Sequence, residues 1–572
     1  MNTTAADLPP LSSHQQATHA LNRLGYGARP GEVDQVVQTG VENWIRRQLD
    51  PRKIPDPAAD TAIAALPKLR LPASQLVAAY QAEIRARRQE REVQTATMNT
   101  NQATMTPENM PVAKGKASAE QQAARLMVGE ALGELMHAKL ARAVLSERQL
   151  EEVLVDFWFN HFNVDARKQQ VRAVIGAYEQ EVIRPHVWGN FRDLLGATAH
   201  STAMLVYLDN FRSSRTYTPS EREKAAIKRR QNELMGEEAA KAAPTPTRGL
   251  NENYGRELLE LHTLGVDAGY TQMDVQEVAR AFTGWTIEPK TGDFIFRRRL
   301  HDDGAKLILG TKFAAGGGER DGERVLDLLA LHPATAHHLA YQLCQRFVAD
   351  NPPAAYVERV ARAYLRSKGD LRATYQALFL DPEFFALQFY GAKSKSPFEF
   401  AASSLRATGA ELTEVKRWPG KIPLHAVEAG AVLGRGGERL ANLKRKTVLL
   451  HLVDMGQPIY GWAPPTGFSE DSSHWVGAGA LVARLNFALA LAGGEVPDVR
   501  VAVGPLLGGA STDDPAAAVD AMASRILAGG LSLTTRRILL EQGGTASDTE
   551  HMVVHAPRLL ALLLGSPEFQ RR

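Results

Sequence analysis

Two histidines at the ends of predicted helices are the first candidates for chemistry. In SERQLEEVLVDFWFNHFNV, a turn of about 100° per residue places His161 on the same apolar face as Phe157. In NENYGRELLELH, the same spacing places His262 on the apolar face with Tyr254. The partners of a buried imidazole are either backbone carbonyls or a metal ion or carboxylate. Both interpretations remain open at the level of the sequence.

A third candidate lies in FIFRRRLHDDGAKLILG, where a short alternating strand leads into a turn. His301 and Asp302 would be anchored by the strand and exposed by the turn, which suits a metal site or acid–base catalysis. They could equally stabilise the turn, since Asp and Gly favour turns in any protein. If His161, His262, His301 and Asp302 converge with Glu257 or Glu252, the ligand types suit zinc, iron or copper, and a carboxylate left free, such as that of Asp302, would be the catalytic base.

The opposite face of the NENYGRELLELH helix is polar. Its arc carries Asn253, Arg256, Glu257 and Glu260. Three consecutive side chains with coordinating or hydrogen-bonding capacity begin the segment: Asn251, Glu252 and Asn253. We expect Arg256, Glu257 and Glu260 to act in catalysis and the three leading residues to bind substrate. An ordinary solvated face with helix caps is the alternative.

Two tryptophans are candidates for substrate binding. Trp285 ends the segment NENYGRELLELHTLGVDAGYTQMDVQEVARAFTGW, residues 251–285, which we expect to be the functional centre. Trp462 lies in the aromatic and Pro-rich loop GQPIYGWAPPTGF, which could form a stacking platform or be a rigid packed loop. No serine is framed by the glycines of a nucleophile elbow.

The elements that must position these residues are mainly helical. Apolar residues recur at helical spacing along most of the chain, which predicts a large multi-helix body with one short β-hairpin-like element near residues 293–310. Ser146 and Gln149 predict a capping box at the start of the His161 helix. Residues 94–120 and 213–248 break the pattern and are expected to be mobile insertions.

Domain boundaries follow from these breaks. We expect an amino-terminal helical part over 1–212, a partly helical flap over 213–248, a central part over 249–414 and a carboxy-terminal part over 415–572. The irregular stretch 416–437 would connect the last two parts.

Composition excludes several classes of protein. The 572 residues carry 67 Lys and Arg against 64 Asp and Glu, so there is no basic footprint for nucleic acid. The single cysteine, Cys344, excludes an internal disulfide framework and any Cys-rich metal site, and its neighbours predict a buried helical thiol. No apolar run reaches about 18 residues, so no membrane span is expected. Without a visible export signal, the protein is cytoplasmic, or it is periplasmic or secreted and the signal has been removed.

Several long motifs resemble a bacterial family known as domain of unknown function 1800. They are HALNRLGYGARPGEV, FWFNHFNV, VIRPHVWGNFRDLL, MLVYLDN, NENYGRELLELHTLGVDAGYTQMDV, FTGW, HDDGAK, HPATAHHLAYQLCQRFV and GQP…PPTGF…W. The resemblance implies no settled activity. It does imply frequent export and a partner from domain of unknown function 1501, a family similar to alkaline phosphatases and sulfatases. The PPTGF loop departs from the PP-x-V-x-GW form usual in that family.

Two classes of function fit these observations. The first is a metal-dependent hydrolase or oxidase acting on an envelope-associated substrate. The second is a non-catalytic helical scaffold that binds a partner protein or polymer. The distance between the histidine rings distinguishes the two classes, because imidazoles that share a metal should lie within about 5 Å of one another around a common point.

Overall fold

The structure is a computed structural model that describes residues 10–101, 119–168, 170–216, 249–413, 445–546 and 552–572, with a few positions between 222 and 229. Helices dominate these residues, and strands occur in them only as short pairs. The prediction of a mainly α fold is confirmed. None of the described helices has the length and apolar character needed to cross a membrane.

The helices are named in chain order. The first part of the chain holds α1 (Ser13–Arg23), α2 (Glu32–Thr39), α3 (Val41–Gln48), α4 (Pro57–Ala64), α5 (Ala73–Asn101), α6 (Ala119–Leu145), α7 (Gln149–His161), α8 (Val171–Ala177), α9 (Phe191–His200) and α10 (Thr202–Tyr207). The central part holds α11 (Asn253–Glu257), α12 (Gln272–Ala281), α13 (Arg320–Ala330), α14 (Pro333–Phe347), α15 (Ala354–Arg366), α16 (Leu371–Phe379) and α17 (Pro397–Ala407). The last part holds α18 (Val448–Asp454), α19 (Ala478–Ala492), α20 (Val503–Leu506), α21 (Pro515–Ile526), α22 (Leu533–Gln542), α23 (Ala556–Gly565) and α24 (Pro567–Gln570).

Four antiparallel strand pairs lie between these helices in the described residues. They are β1 (Trp285–Ile287) with β2 (Phe294–Phe296), β3 (Lys306–Ile308) with β4 (Thr311–Phe313), β5 (Glu411–Leu412) with β6 (Val499–Arg500), and β7 (Gly544–Ala546) with β8 (Met552–Val554). The FIF strand predicted near residue 293 is β2. The element predicted there is therefore two successive hairpins, and a single 3₁₀ turn, Arg298–Leu300, separates β2 from His301.

Local capping chemistry explains several helix starts. At α12 the Thr271 hydroxyl accepts from the Asp274 amide and the Asp274 carboxylate accepts from the Thr271 amide, a capping box. The same arrangement joins Ser396 and Glu399 at the start of α17, where Pro397 occupies the first turn. These boxes fix the first turn of each helix.

The capping box predicted at Ser146 does not form. Helix α7 begins at Gln149, later than a Ser146 cap would start it, and the Ser146 hydroxyl donates to Asp56 Oδ2 at 2.6 Å and accepts from the Arg148 amide at 3.0 Å. The Gln149 amide group donates to the Ser146 carbonyl at 2.8 Å. A tertiary partner, Asp56, has replaced the local cap.

Close backbone contact with α12 fixes the position of the NENYGRELLELH segment. A Cβ atom at Gly255 would lie 3.0 Å from both the Ala279 nitrogen and the Val275 carbonyl oxygen of α12. Only glycine allows α11 and α12 to approach this closely. Helix α11 then passes directly into a π-helical turn, Leu258–Thr263, just as α8 passes into the π-helical turn Tyr178–Ile183.

One continuous hydrophobic core runs from Ala17 in α1 to Phe569 in α24. It includes buried residues from each of the three helical parts expected from the sequence, and Cys344 lies in it as the predicted buried helical thiol. The ends of the first predicted insertion, 94–120, belong to α5 and α6. The middle of that insertion, most of 213–248 and the stretch 416–437 lie outside the described residues.

Candidate functional site

The structure brings His161 and His262 together in the core, with ring centroids 6.2 Å apart. His161 Nδ1 lies 2.8 Å from the Gln342 side-chain oxygen and Nε2 lies 3.2 Å from the His262 carbonyl. Burial lowers the pKa of His161 to about 3 and lowers the pKa of His262 as well. Both rings are therefore neutral, and His161 has the amide and backbone partners of a core histidine.

His301 belongs to a different cluster. Its Nδ1 lies 2.8 Å from the Thr283 carbonyl, and its Nε2 lies 3.4 Å from Asp321 Oδ2, which also accepts from Lys306 at 2.6 Å. All three side chains of the His301–Asp321–Lys306 set are fully buried. Among the described residues, no group of three or more His, Cys, Asp or Glu side chains is placed to hold a metal ion.

Asp302 faces away from that cluster and pairs with Arg280, whose Nε lies 2.9 Å from Asp302 Oδ2. Hydrogen bonds from Arg280 lower the pKa of Asp302 to about 2. The side chain also accepts from the Gly304 amide at 3.0 Å, within the turn. These contacts are those of a turn-stabilising carboxylate.

The polar strip before α11 makes structural contacts. The side-chain amide of Asn251 donates to the Asp209 carbonyl at 3.2 Å, and that of Asn253 donates to the Leu208 carbonyl at 3.4 Å. Glu252 accepts from Gln272 at 2.6 Å. The strip ties the end of α10 to the starts of α11 and α12.

The predicted catalytic residues of this helix lie at its half-buried polar face. Arg256 donates to Gln272 at 2.9 Å and lies 3.5 Å from Glu252. Burial, followed by the charge of Glu260, raises the pKa of Glu257. The two glutamates thus repel each other at the surface of the segment, while His262 points into the core.

The two tryptophans occupy different environments. Trp285 is fully buried, with its ring packed against Phe282, Phe294 and His200 and against the backbone of Gly322. A ring in that position presents no face to a substrate. Trp462 is half-buried and packs on Phe468, with centroids 4.7 Å apart.

The Trp462 loop is clamped by two asparagines from FWFNHFNV. Asn160 donates to the Phe468 carbonyl at 2.8 Å and accepts from its amide at 2.7 Å. Asn163 donates to the carbonyls of Trp462 and Pro464 at 3.0 and 2.8 Å. The two motifs, 300 residues apart, form one unit.

That unit borders a small cavity of about 50 Å³. Residues from three of the motifs quoted above line it: Phe159, Asn160 and Asn163; Arg346; and Gln457, Ile459, Tyr460, Phe468 and Trp475. A volume of this size holds a few water molecules or one small ion, which is less than a typical substrate needs.

Buried charges form an ionic network on the wall of this cavity. Glu399 accepts from Arg346 and lies 3.1 Å from Arg572 Nη1. Burial would raise the pKa of Glu399, but the two arginines together lower it to about 2. Arg346 also lies 3.6 Å from Glu470, whose pKa is raised by burial.

The network supports the segment KSKSPFEFAASS, residues 393–404. Lys393 binds Asp350 and donates to the Glu470 carbonyl at 2.8 Å. The Lys395 amide donates to the Gln570 carbonyl at 2.9 Å, and the Lys395 carbonyl accepts from Arg484 at 2.7 Å. The backbone of Lys395 is thereby held from both sides.

Lys395 reaches across the first turns of α17 to a serine. Its Nζ lies 2.8 Å from Ser403 Oγ and 3.9 Å from the centroid of the Phe569 ring. The two residues are 4% and 3% exposed. No carboxylate of the described residues lies within 4.0 Å of Nζ, and burial lowers the pKa of Lys395 to about 7. A lysine of this kind is half deprotonated near neutral pH.

Both side chains line a groove of about 630 Å³. One side of the groove is α1 with the following turn, from the motif HALNRLGYGARPGEV, and the other is the end of α21 with the loop 527–530. This volume lies in the range of small-molecule sites. The sequence prediction missed the groove because Ser403 sits inside a helix and lacks the glycines of a nucleophile elbow; the only sequence signal is a lysine eight residues upstream.

The sequence matches the family described as Protein of unknown function (DUF1800) over residues 19–571. The chain belongs to this family. No curated protein and no solved structure matches the chain. The match confirms the family predicted from the motifs, and a family described as of unknown function implies no activity.

Proposed function

We propose that this DUF1800 protein is a hydrolase in which Ser403 is the nucleophile and Lys395 is the general base. The observation that carries the proposal is the 2.8 Å contact between Ser403 Oγ and a buried lysine without a carboxylate partner, on the wall of a groove of substrate size. A serine is activated by an adjacent base, and a desolvated lysine can be that base at neutral pH.

The proposed reaction is acyl transfer to water. Ser403 Oγ forms a bond to the carbonyl carbon of an ester, and its proton moves to the neutral Nζ of Lys395. The bond from that carbon to the leaving oxygen breaks, and the oxygen takes the proton from the Lys395 ammonium. Water then attacks the acyl carbon and gives a proton to Nζ. The bond from that carbon to Ser403 Oγ breaks, the carboxylic acid leaves, and Oγ takes the proton back from Nζ. One water is consumed and both side chains are restored.

The charges beneath the groove support this role by positioning the lysine. The charge of Glu399 favours the ammonium form of Lys395, whereas Arg484 and Arg572 disfavour it. Since Glu399 is itself engaged by Arg346 and Arg572, burial remains the largest influence on the lysine. The motifs around the small cavity thus hold the segment that carries the base.

The neighbouring serine offers a matched control. The Ser404 hydroxyl is buried like that of Ser403, but it donates to the Phe400 carbonyl at 2.8 Å. Wild type should react covalently with a fluorophosphonate at Ser403, identified by peptide mass spectrometry, and hydrolyse p-nitrophenyl butyrate. Ser403→Ala and Lys395→Met should lose both reactions, while Ser404→Ala keeps them. Label on another residue, or full activity in Ser403→Ala, would overturn the proposal.

The sequence also predicted a metal-dependent enzyme, hydrolase or oxidase, acting on an envelope-associated substrate. The contacts of His161 and His301 lend that metal site no support, and no group of three or more His, Cys, Asp or Glu side chains among the described residues could hold a metal ion, whereas hydrolysis agrees with the groove. Elemental analysis of the purified protein beside His161→Ala and His262→Ala tests the metal directly. We expect ester hydrolysis to survive dialysis against EDTA; loss of activity that zinc, iron or copper restores would favour the metal-dependent mechanism.

A scaffold function is the second candidate, and one observation favours it. Helix α19 exposes an apolar stripe made of Leu481, Val482, Leu485 and Leu489. Stripes of this kind are typical of surfaces that bind a partner protein. The family resemblance suggests a protein of domain of unknown function 1501 as that partner. The experiment is co-purification of the partner protein with wild type and with a folded Leu481→Glu/Leu489→Glu double variant. Loss of the partner from the double variant would support the scaffold function. Unchanged co-purification would exclude this stripe as the contact.

A further inference from the structure

We infer that the groove selects acyl substrates carrying a negatively charged carboxylate or phosphate group. The inference rests on the proposed hydrolase function and names the substrate class of that site. It is carried by the charges and by the buried hydrogen-bonding groups that line the groove.

Arginines outnumber carboxylates on the groove wall. Its charged residues are Arg29, Arg525, Arg571, Arg572 and Lys395 against Asp34 and Glu568. Since burial lowers the pKa of Lys395, the arginines alone leave an excess of positive charge when the lysine is neutral. The groove therefore attracts anions in the state in which the lysine can act as a base.

Two of these arginines are available to a ligand. Arg29 binds Glu147, and Arg572 binds Glu399. Arg525 and Arg571 are exposed and have no carboxylate partner among the described residues, and Arg525 donates only to the Ala521 carbonyl of its own helix, at 3.1 Å. Guanidinium groups without a partner bind carboxylates and phosphates with paired hydrogen bonds.

One of the two carboxylates is already occupied. Glu568 accepts from the Thr535 hydroxyl at 2.8 Å and from the Ser532 amide at 3.3 Å. Asp34 is exposed at the far side, on α2. The two unpaired arginines thus outweigh the one carboxylate that remains exposed.

Buried polar groups on the same wall lack hydrogen-bond partners. Arg572 Nε and the Tyr390 hydroxyl have none among the described residues. The His19 and Tyr390 rings lie 6.3 Å apart. Buried donors without partners are rare in native proteins, and oxygen atoms of a bound anion would satisfy them.

A pair of esters of equal acyl length tests the inference. p-Nitrophenyl hemisuccinate carries a terminal carboxylate, and p-nitrophenyl butyrate is neutral. Wild type should show kcat/KM at least about tenfold higher for the hemisuccinate. In Arg525→Gln with Arg571→Gln this ratio should fall toward one, while Arg500→Gln, which removes an exposed arginine elsewhere, should leave it unchanged. Equal kcat/KM for the two esters in wild type would overturn the inference.

Binding of free succinate separates this inference from the proposed hydrolysis. Calorimetry should detect succinate binding to wild type and at least about tenfold weaker binding to the double arginine variant. If neither ester is hydrolysed but succinate binds in this way, the groove is an anion site and the proposed function is wrong. If succinate does not bind wild type, the anion site is wrong, whatever the esters show.

Discussion

At the scale of single residues, the proposed reaction depends on Lys395. An ammonium group buried without a carboxylate partner costs stability, and proteins retain such groups mainly at functional sites. The Lys395 side chain meets this description, whereas His161 has an amide and a backbone carbonyl as partners and His301 has a backbone carbonyl and the Asp321 carboxylate. The sequence correctly placed His161 and His262 on apolar faces, but it could not show which partners they would meet.

The rate of hydrolysis should depend on the protonation of Lys395. Burial lowers the pKa of Lys395 to about 7, and only the neutral amine can accept the Ser403 proton. We therefore expect kcat/KM for p-nitrophenyl butyrate to rise about tenfold per pH unit below pH 7 and to level off above it. A rate that is independent of pH between 5 and 8 would contradict a lysine base.

Replacing the lysine should stabilise the protein while abolishing its activity. The folded state binds fewer protons than the unfolded chain between about pH 7 and the ordinary lysine pKa near 10.4, so the contribution of Lys395 to stability rises with pH across that window. Lys395→Met should raise the free energy of unfolding by roughly 1–4 kcal/mol at pH 6, and by less at pH 9. Urea unfolding at both pH values checks this, with the exposed Lys312→Met as the control.

At the scale of elements, the geometry of the NENYGRELLELH segment shows where prediction stops. The 100° spacing assumes an α-helix throughout, but Leu258–Thr263 is a π-helical turn, in which the hydrogen bonds span five residues. Amphipathic spacing predicted the helices well because the pattern requires only that one face of each helix is buried. It could not predict a π turn, which depends on packing between segments distant in the chain.

The clamped loop of Trp462 offers a test at this scale. Gly467 has a φ of +68°, and a Cβ atom there would collide with the Asn160 carbonyl oxygen. Gly467→Ala should therefore destabilise the protein more than Gly509→Ala, whose φ is +88° but whose Cβ would meet no atom within 4 Å. The conformational penalty common to both is about 1–2 kcal/mol, and the collision adds to it only at position 467. Thermal unfolding measures both, and equal losses would mean that the loop moves aside freely.

At the scale of the whole molecule, α1 contacts segments from the middle and the last part of the chain. The buried Arg23 of α1 donates to the Phe389 carbonyl at 2.7 Å, and Thr18 donates to the Ala528 carbonyl at 3.2 Å. The groove therefore combines residues from the beginning, the middle and the end of the sequence. Periodicity along the chain predicts each helix separately, and it carries no information about contacts between segments that are distant in the sequence.

The continuous core leads to a prediction about unfolding. If the parts 1–212, 249–414 and 415–572 were independent domains, each would unfold with its own midpoint. Because buried residues of all three share one core, we expect a single cooperative transition, with coincident midpoints by tryptophan fluorescence and circular dichroism. Separate transitions in calorimetry would favour the division expected from the sequence.

The single cysteine has a practical consequence for measuring movement of the Trp462 loop. Cys344 is buried in α14, and burial raises the pKa of its thiol to about 12, so it reacts poorly with maleimides in the native state. The natural chain is therefore already a clean background for a single fluorescent or spin label. A cysteine introduced by Ala463→Cys, at the exposed tip of the clamped loop, would carry the only reactive thiol and would report whether that loop shifts when the groove is filled.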